Sequence, residues 1–253
     1  MIKAQDPVLS SVAPRDTNKQ WRLSCGLLAW EDLPEQLQDE EVRPYWESLA
    51  GKGKYLVLKR FLDIVLAIVV ILITAPLLLT LMIAIRLESA GSPIFKQTRV
   101  TQYGRLFTIY KLRTMTVHSN EMTLANNLQN EVTKLGRYLR RLKIDEFPQA
   151  WNVLKGDMAF IGTRPELPRY VECYTPRMRA TLLLRSGVTC EASIVYREEE
   201  YIRKDGVEPE DLYLQCILPE KMRIQINEIL KISLLHELGV IIRTVFHINV
   251  RSS

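Results

Sequence analysis

The sequence predicts an α+β fold that is mainly helical, in which one re-entrant membrane helix is joined to a soluble domain. Residues 64–85 form an uncharged, apolar run of 22 residues. Segments 91–100 and 104–115 alternate in polarity and are rich in β-branched and aromatic residues, which is typical of short strands. Later segments place apolar residues at helical spacing, which indicates amphipathic helices at the membrane surface or in a core. We therefore divide the chain into an extension (1–52), a membrane-inserted helix (53–86) and a soluble domain (87–253).

The N-terminal extension differs from the rest in charge. The formal net charge is +5, but residues 1–50 hold nine acidic and five basic residues, so they carry −4 and the remainder carries +9. We expect residues 1–20 to be disordered and residues 21–49 to have modest helical potential, interrupted by Pro44. A basic body favours nucleic acid, anionic lipid or phosphorylated small molecules. Because no nucleic-acid-reading motif is present, we expect no nucleic-acid partner.

The cysteines are scattered through the chain. There are four of them, without a C-x-x-C pair, and the histidines are not clustered. This spacing disfavours a zinc site and a disulfide framework. The first 21 residues lack the apolar core of a signal peptide. We therefore expect reduced thiols that face a cytoplasm.

The apolar run is long enough to cross a bilayer, because 22 residues of helix extend about 33 Å. Two details disfavour a straight span. Pro76 removes one backbone donor, so the helix should kink or break there. Both flanks are also basic, which places both in the cytoplasm: Lys52, Lys54, Lys59 and Arg60 precede the run, and Arg86, Lys96, Arg99 and Arg105 follow it. A re-entrant helix broken at Ala75 and Pro76 satisfies both details; a kinked span and a buried core helix are the alternatives.

The soluble domain begins with the two strand-like segments and continues with helical patterns. Leu135, Leu139 and Leu142 lie at helical spacing, with basic residues on the other face. A short helix should follow from about Asp145, with Pro148 in its first turn and Gly156 at its end. Segments 166–185 and 234–248 are read as amphipathic helices, which would lie on the bilayer surface or pack in an ordinary core.

Two adjacent carboxylates, Asp145 and Glu146, stand out in this domain. Five basic residues precede them (Lys134, Arg137, Arg140, Arg141 and Lys143), and "GTRPE" at 162–166 follows. An Asp-Glu pair is by itself most often a solvated surface pair. Here it is embedded in the longer string "KIDEFPQAWNVLKGDMAFIGTRPE" at 143–166.

The order of these segments resembles the bacterial sugar transferases, the monotopic polyprenyl-phosphate phosphoglycosyl transferases. This family starts exopolysaccharide, capsule, O-antigen and glycoprotein glycan assembly. The resemblance rests on the apolar run with its internal proline, "SPIFKQTRVTQYGRLFTIYKLRTM", the string at 143–166 and "LLHELGVIIRT". It covers about residues 55–245, and residues 1–50 lie outside it.

The resemblance implies transfer of a sugar-1-phosphate from a nucleotide diphosphate sugar, by family habit a UDP-sugar, to polyprenyl (undecaprenyl) phosphate. It places residues 87–253, as the catalytic domain, on the cytoplasmic face of the bacterial inner membrane. Asp145 matches the family nucleophile, which attacks the β-phosphorus and holds the phosphosugar covalently. Membrane lipids, a second copy of the chain and downstream glycosyltransferases are further expected partners. The alternative is a catalytically silent homologue that scaffolds an assembly complex, against which the intact Asp145, Glu146 and Arg164 argue.

The residue chemistry agrees with this role. A carboxylate nucleophile splits one hard displacement into two easier ones. Mg²⁺ prefers carboxylate and phosphate oxygens, so Glu146 is the expected ligand and Asp157 a weaker candidate. Arginine binds phosphate in bidentate geometry, which suits Arg140 and Arg164. In "YKLRTM", Lys111 and Arg113 match the family's other basic motif.

Several positions depart from the family pattern. Ala75 stands where serine is frequent, Lys143 where a small hydroxylated residue is common, and Thr163 where proline is usual. "SGVTCEASIVYRE" at 186–198 replaces the usual "PGITGLWQVSGR", in a region expected to contact the sugar. We therefore predict an active enzyme with a non-standard donor.

Overall fold

The computed structural model describes residues 26–116, 132–196 and 209–246. The α-helices are α1 (Arg43–Ala50), α2 (Gly53–Glu88), α3 (Lys134–Arg141), α4 (Gln149–Lys155), α5 (Pro168–Val171), α6 (Glu191–Val195), α7 (Pro209–Leu212), α8 (Leu218–Lys231) and α9 (Leu234–Phe246). The strands are β1 (Ile94–Val100), β2 (Leu106–Leu112), β3 (Met158–Ile161) and β4 (Ser186–Thr189). These elements confirm a mainly helical fold with short strands and one long apolar helix. The disorder expected for residues 1–20 lies outside the described residues.

The strands form two small sheets. β1 and β2 pair antiparallel, with Ile94 opposite Leu112 and Val100 opposite Leu106, as the alternating pattern predicted. β3 and β4 pair in parallel. Directly after β3, Gly162 lies so close to Gly187 that a Cβ atom on either would overlap backbone atoms of the facing segment. Only glycine permits this approach, which anchors the start of the "GTRPE" loop against β4.

The largest core cluster includes the described end of the N-terminal extension. Leu37, Val42 and Leu49 are fully buried there, together with Leu183 and Met222 from the soluble domain. Pro44 lies in the first turn of α1, where it starts the helix rather than interrupting it. Residues from Leu27 onward therefore pack as part of the soluble domain's core.

Segment 166–185 does not form the single amphipathic helix that we predicted. It contains α5 and a separate 3₁₀ helix, Arg177–Leu183, that follows Pro176. Ala180 and Leu183 are completely buried, so this segment packs in the ordinary core. The prediction was wrong because proline limits each helical stretch to the residues that follow it. In α9, by contrast, Val240 is buried while Leu235 and Phe246 are 84% and 71% exposed.

Helix α2 is the one helix of the described chain that is long and apolar enough to cross a membrane. Only 6% of its most apolar 18-residue window is buried, which is not how a core helix packs. The helix continues through Ala75 and Pro76, so the structure does not show the predicted interruption. The re-entrant path stays a prediction.

Both halves of α2 contact the soluble domain. In the first half, Ala67 packs against Phe107 and Val153, whereas in the second half Ile85 packs against Leu112 and Leu139. Residues 68–77, between these contacts, include no buried residue. Polar contacts reinforce the first half: the Arg60 guanidinium donates to the carbonyl oxygens of Val153 (2.8 Å) and Leu154 (3.3 Å), at the end of α4. The soluble domain therefore holds the helix on both sides of Pro76.

Candidate active site

The Asp145–Glu146 pair lies on a short 3₁₀ turn, Ile144–Glu146, between α3 and α4. Lys143 enters this turn with φ of 57°, a left-handed conformation that non-glycine residues seldom adopt. On the other side α4 begins at Gln149, after Pro148, and not at about Asp145 as we predicted. Gly156 (φ 88°) ends the helix, as the sequence predicted. The turn between these two helices therefore places both carboxylates side by side.

Helix α3 is locked against the end of β2. The Thr133 side chain caps α3 by accepting from the Gly136 amide at 2.9 Å. A Cβ atom at Gly136 would overlap the Thr114 carbonyl, so glycine is needed for this close approach. On the same helix, the Arg140 Nε donates to the Thr114 hydroxyl at 2.9 Å. Arg140 lies close enough to Asp145 for its charge to lower the pKa of that carboxyl.

Asp145 is a buried carboxylate with an unused oxygen. Its exposure is 8%, and its Oδ1 has no hydrogen-bond partner among the described residues. Burial raises the pKa of Asp145 to about 6, and the negative charge of Glu146 adds to the rise. Lys111, Lys143 and Arg140 oppose this rise without cancelling it. The carboxylate is ionised at neutral pH but is held in an environment that disfavours its charge.

Glu146 has the opposite environment although it is the next residue. Its Oε1 accepts a hydrogen bond from Lys111 Nζ at 2.8 Å, and Arg164 Nη2 lies 3.8 Å away. Burial by itself would raise the pKa of Glu146, but the charges of Lys111, Arg164 and Lys143 together lower it to about 2. Glu146 is therefore firmly ionised, and its pairs fix the positions of two cations.

These two cations come from separate parts of the fold. Lys111 projects from β2, opposite Phe95 of β1. Arg164 lies on the loop after β3, beyond the close approach of Gly162 and Gly187. The structure therefore brings together four of the predicted site residues, Asp145, Glu146, Lys111 and Arg164, with Arg140 beside them.

Arg113 lies elsewhere. Its guanidinium donates to the carbonyl oxygens of Ser89 (2.6 Å), Ala90 (2.6 Å) and Ile85 (3.3 Å), at the end of α2. A cation that binds the last carbonyls of a helix stabilises its C-terminus. Arg113 therefore stabilises the end of α2 and does not face the carboxylate pair, where we expected it to bind phosphate. Lys111, two residues earlier, does belong to the site.

Asp157 is likewise used for structure. Its Oδ1 lies 3.1 Å from Arg105 Nη2 and its Oδ2 lies 3.6 Å from Lys155 Nζ. The side chain is 2% exposed. Both oxygens therefore face cations, the buried Arg105 and the exposed Lys155, and we do not retain Asp157 as a metal ligand.

A buried network that sequence reasoning missed supports the Arg164 loop. Glu166 accepts from Lys221 Nζ at 2.9 Å and from the Tyr213 hydroxyl at 2.7 Å, and Arg99 lies 3.9 Å from it. Lys221 is 1% exposed. Burial by itself would raise the pKa of Glu166, but the charges of Lys221 and Arg99 lower it. No sequence signal marks Lys221, because it lies 55 residues from its partner on an otherwise ordinary helix.

The pair has the donor chemistry of a magnesium site. Adjacent carboxylates supply hard oxygen ligands, and the free Asp145 Oδ1 is available for one. Asp145 and Glu146 therefore fit the expected cation, whereas Asp157 does not contribute.

Comparison with known proteins identifies the family of this domain. A model of the family described as bacterial sugar transferase matches residues 54–251. The chain belongs to the bacterial sugar transferase family. The chain is 36% identical over 192 residues, 74% of its length, to the UDP-glucose:undecaprenyl-phosphate glucose-1-phosphate transferase of Caulobacter vibrioides, of which it covers 68%.

Two longer relatives are named for different sugars. The UDP-N-acetylgalactosamine-undecaprenyl-phosphate N-acetylgalactosaminephosphotransferase of Aeromonas hydrophila is 38% identical over 154 residues, which is 59% of this chain and 36% of the relative. The UDP-glucose:undecaprenyl-phosphate glucose-1-phosphate transferase of Escherichia coli is 36% identical over 166 residues, 63% of this chain and 35% of the relative. The chain thus spans about a third of these two relatives, whose names share an acceptor but differ in the sugar.

Proposed function

We propose that this sugar transferase moves a sugar-1-phosphate from a nucleotide diphosphate sugar, most simply a UDP-sugar, to undecaprenyl phosphate. The observation that carries the proposal is the asymmetry of the carboxylate pair. Asp145 has a raised pKa and an unpartnered oxygen, while Glu146 is paired with Lys111 and Arg164. Environments that push two neighbouring pKa values apart are typical of groups with different catalytic roles. The acceptor and the nucleotide come from the names of the relatives.

In the first step, an Asp145 oxygen attacks the β-phosphorus of the donor. The new phosphorus–oxygen bond forms as the bond to the oxygen bridging the two phosphorus atoms breaks, and its electron pair leaves with the nucleoside monophosphate. In the second step, an oxygen of the lipid phosphate attacks the same phosphorus. The Asp145 carboxylate is then released unchanged. With a pKa of about 6, roughly nine molecules in ten carry the ionised, reactive form of Asp145 at pH 7.

An anionic nucleophile that approaches an anionic diphosphate needs compensating charge. Lys111, Arg164 and Arg140 lie near the pair, and their proposed role is to bind phosphate oxygens of the donor. Glu146 holds the first two in position through its own charge. When bound at Asp145 and Glu146, Mg²⁺ would supply further neutralisation of the diphosphate oxygens.

The contacts of α2 with the soluble domain favour a monotopic enzyme on the cytoplasmic face of the inner membrane. Both halves of α2 pack on the same soluble domain, and basic residues flank the helix on both sides. A straight span would carry its two ends to opposite sides of the bilayer. The exposed Leu235, Leu238 and Phe246 give α9 an apolar face that suits the bilayer surface. We therefore propose a re-entrant path for α2 with its turn near Pro76.

The covalent step is tested with donor alone. Intact-protein mass spectrometry of the wild type, incubated with a panel of nucleotide sugars and Mg²⁺, should show the added mass of one sugar phosphate. Asp145→Asn should show no adduct and no burst of nucleoside monophosphate. Glu220→Gln, an exposed change on α8, is the matched control and should form the adduct. An adduct on Asp145→Asn would move the nucleophile elsewhere, and no wild-type adduct with any donor would favour the silent scaffold.

A further inference from the structure

A second polar region lies between α2, the β3–β4 sheet and the C-terminal helices. It is a small cavity of about 60 Å³ that is partly open to solvent. Its lining includes Gln225 and Glu228 of α8, His236 of α9, Lys59 of α2 and Arg185, which precedes β4. None of these residues belongs to the Asp145–Glu146 site.

Gln225 is the unusual group in this cavity. It is 0% exposed, and both its amide nitrogen and its amide oxygen lack a hydrogen-bond partner among the residues described. Buried side-chain amides are normally hydrogen-bonded, because leaving them unpaired costs their full hydration. Glu228 follows three residues later on α8, so the two side chains lie on the same face of the helix. The cavity thus offers a donor and an acceptor to a polar ligand beside Glu228.

Glu191, Glu228 and His236 form a cluster at this cavity. One ligand atom from each lies within 4.8 Å of the others, although the residues come from α6, α8 and α9. His236 Nε2 is 3.9 Å from Oε1 of each glutamate, which is too long for a hydrogen bond, and this buried nitrogen has no partner in the described chain. With metal–ligand distances of about 2.0–2.2 Å, a small inward shift of these side chains would let all three bind one cation.

The existing contacts of the cluster are compatible with a cation. Glu228 Oε1 accepts from the Glu191 amide at 2.9 Å, and Glu191 Oε1 accepts from Arg243 Nη2 at 2.8 Å. These contacts orient the two carboxylates, as outer groups commonly orient metal ligands. The oxygens that face His236 are the same Oε1 atoms that accept these bonds, and a carboxylate oxygen can accept a hydrogen bond and still bind a metal.

We propose that Glu191, Glu228 and His236 bind one divalent cation of the Zn²⁺ class. Imidazole with carboxylates is a ligand set of this class, whereas Mg²⁺ and Ca²⁺ prefer oxygen ligands throughout. Three protein ligands leave a position open to water on the cavity side, where Gln225 can hydrogen-bond to that water. The cation would join α9 and α8 to α6, and α6 lies within the divergent segment 186–198. The site is independent of the proposed transfer chemistry.

Zn²⁺ binding to the detergent-purified full chain tests the site. The protein carries no polyhistidine tag, is stripped with chelator, and contains Asp145→Asn and Glu146→Gln so that the catalytic pair does not compete. Metal content after desalting should be one Zn²⁺ per chain, and Zn²⁺ should raise the melting temperature. Adding His236→Ala, or the isosteric Glu228→Gln, should abolish both effects. Adding Glu220→Gln, on the same helix, should change neither.

Two results would overturn the proposal. The first is Zn²⁺ retained at full stoichiometry when His236→Ala or Glu228→Gln is added. The second is that the protein with the intact cluster binds no Zn²⁺ and shows no thermal shift. This measurement needs no cluster variant, so it does not depend on how those variants fold. In that case the cluster is an ion-pair network that joins the three helices.

Discussion

Replacing each carboxylate of the pair by its amide should change stability in opposite directions. Asp145→Asn removes a charge that burial disfavours, so we predict that it stabilises the protein in the presence of chelator. Glu146→Gln removes a charge that Lys111 and Arg164 favour, so it should destabilise. Both substitutions keep the size and shape of the side chain, which isolates the effect of charge.

The pKa values determine the magnitude. The pKa of Asp145 rises from its ordinary value of 3.8 to about 6 in the folded protein. This difference of about 2.2 corresponds to about 3 kcal/mol of unfolding free energy at neutral pH. The pKa of Glu146 falls from its ordinary value of 4.5 to about 2 in the folded protein. Removing this charge should therefore lower the unfolding free energy by a similar amount. The melting temperatures of the two variants should therefore lie on either side of the wild type, each displaced by roughly 6–12 °C at most.

The pH dependence distinguishes the two carboxylates. The raised pKa of Asp145 disfavours folding at high pH, so the gain from Asp145→Asn is complete above about pH 6 and disappears below its unfolded value of 3.8. At pH 5 about half of the gain should remain. The stability that the Glu146 charge contributes is present above pH 4.5 and is lost as the pH falls toward about 2. The loss of unfolding free energy in Glu146→Gln should therefore persist at pH 5.

Thermal unfolding in detergent with chelator, followed between pH 5 and pH 8, measures these differences. Glu220→Gln serves as the control for an exposed amide substitution. Equal destabilisation by both site variants would refute the reasoning, because it would mean that Asp145 is not held against its charge. A gain from Asp145→Asn that does not shrink at pH 5 would show that the effect is not electrostatic.

Three further predictions concern the metal, the membrane path and the loop. Excess chelator should abolish turnover and Mg²⁺ restore it, since the departing phosphate needs charge neutralisation; full turnover in chelator would remove Glu146 from this role. Single cysteines at Lys54 and Lys96, in a chain without the native cysteines, should both resist an impermeant maleimide on intact cells. Labelling of either would exclude the re-entrant path. Lys221→Met should lower the unfolding free energy by about 3–5 kcal/mol, because it removes the short ion pair of the buried Glu166 and leaves only Arg99, at 3.9 Å, to offset the charge. Adding Glu166→Leu should recover most of this loss, and a cost below about 1 kcal/mol would contradict the network.

Local features of the sequence were sufficient to predict several elements. The uncharged run marks α2 because a membrane helix must be apolar around its whole circumference. Alternation predicted β1 and β2, and Gly156 predicted the end of α4, because each of these signals acts over a few residues. The predicted start of α4 was four residues too early, because residues 144–146 form a separate 3₁₀ turn. The Asp145–Glu146 pair was likewise recognisable from the residue string in which it is embedded. The prediction of one helix over 166–185 was wrong because the apolar spacing that indicated it spans Pro176, where the helix is interrupted.

Only the tertiary structure decided which charges meet. Lys111 and Arg113 are two residues apart in one basic motif, yet the first pairs with Glu146 and the second binds the end of α2. In a strand, such residues point to the same face, so the motif could not separate their roles; the difference arises because β2 ends at Leu112. The Glu191–Glu228–His236 cluster was invisible for a related reason. Its members are 37 and 8 residues apart, and their proximity depends on how α6, α8 and α9 pack, which no local pattern encodes.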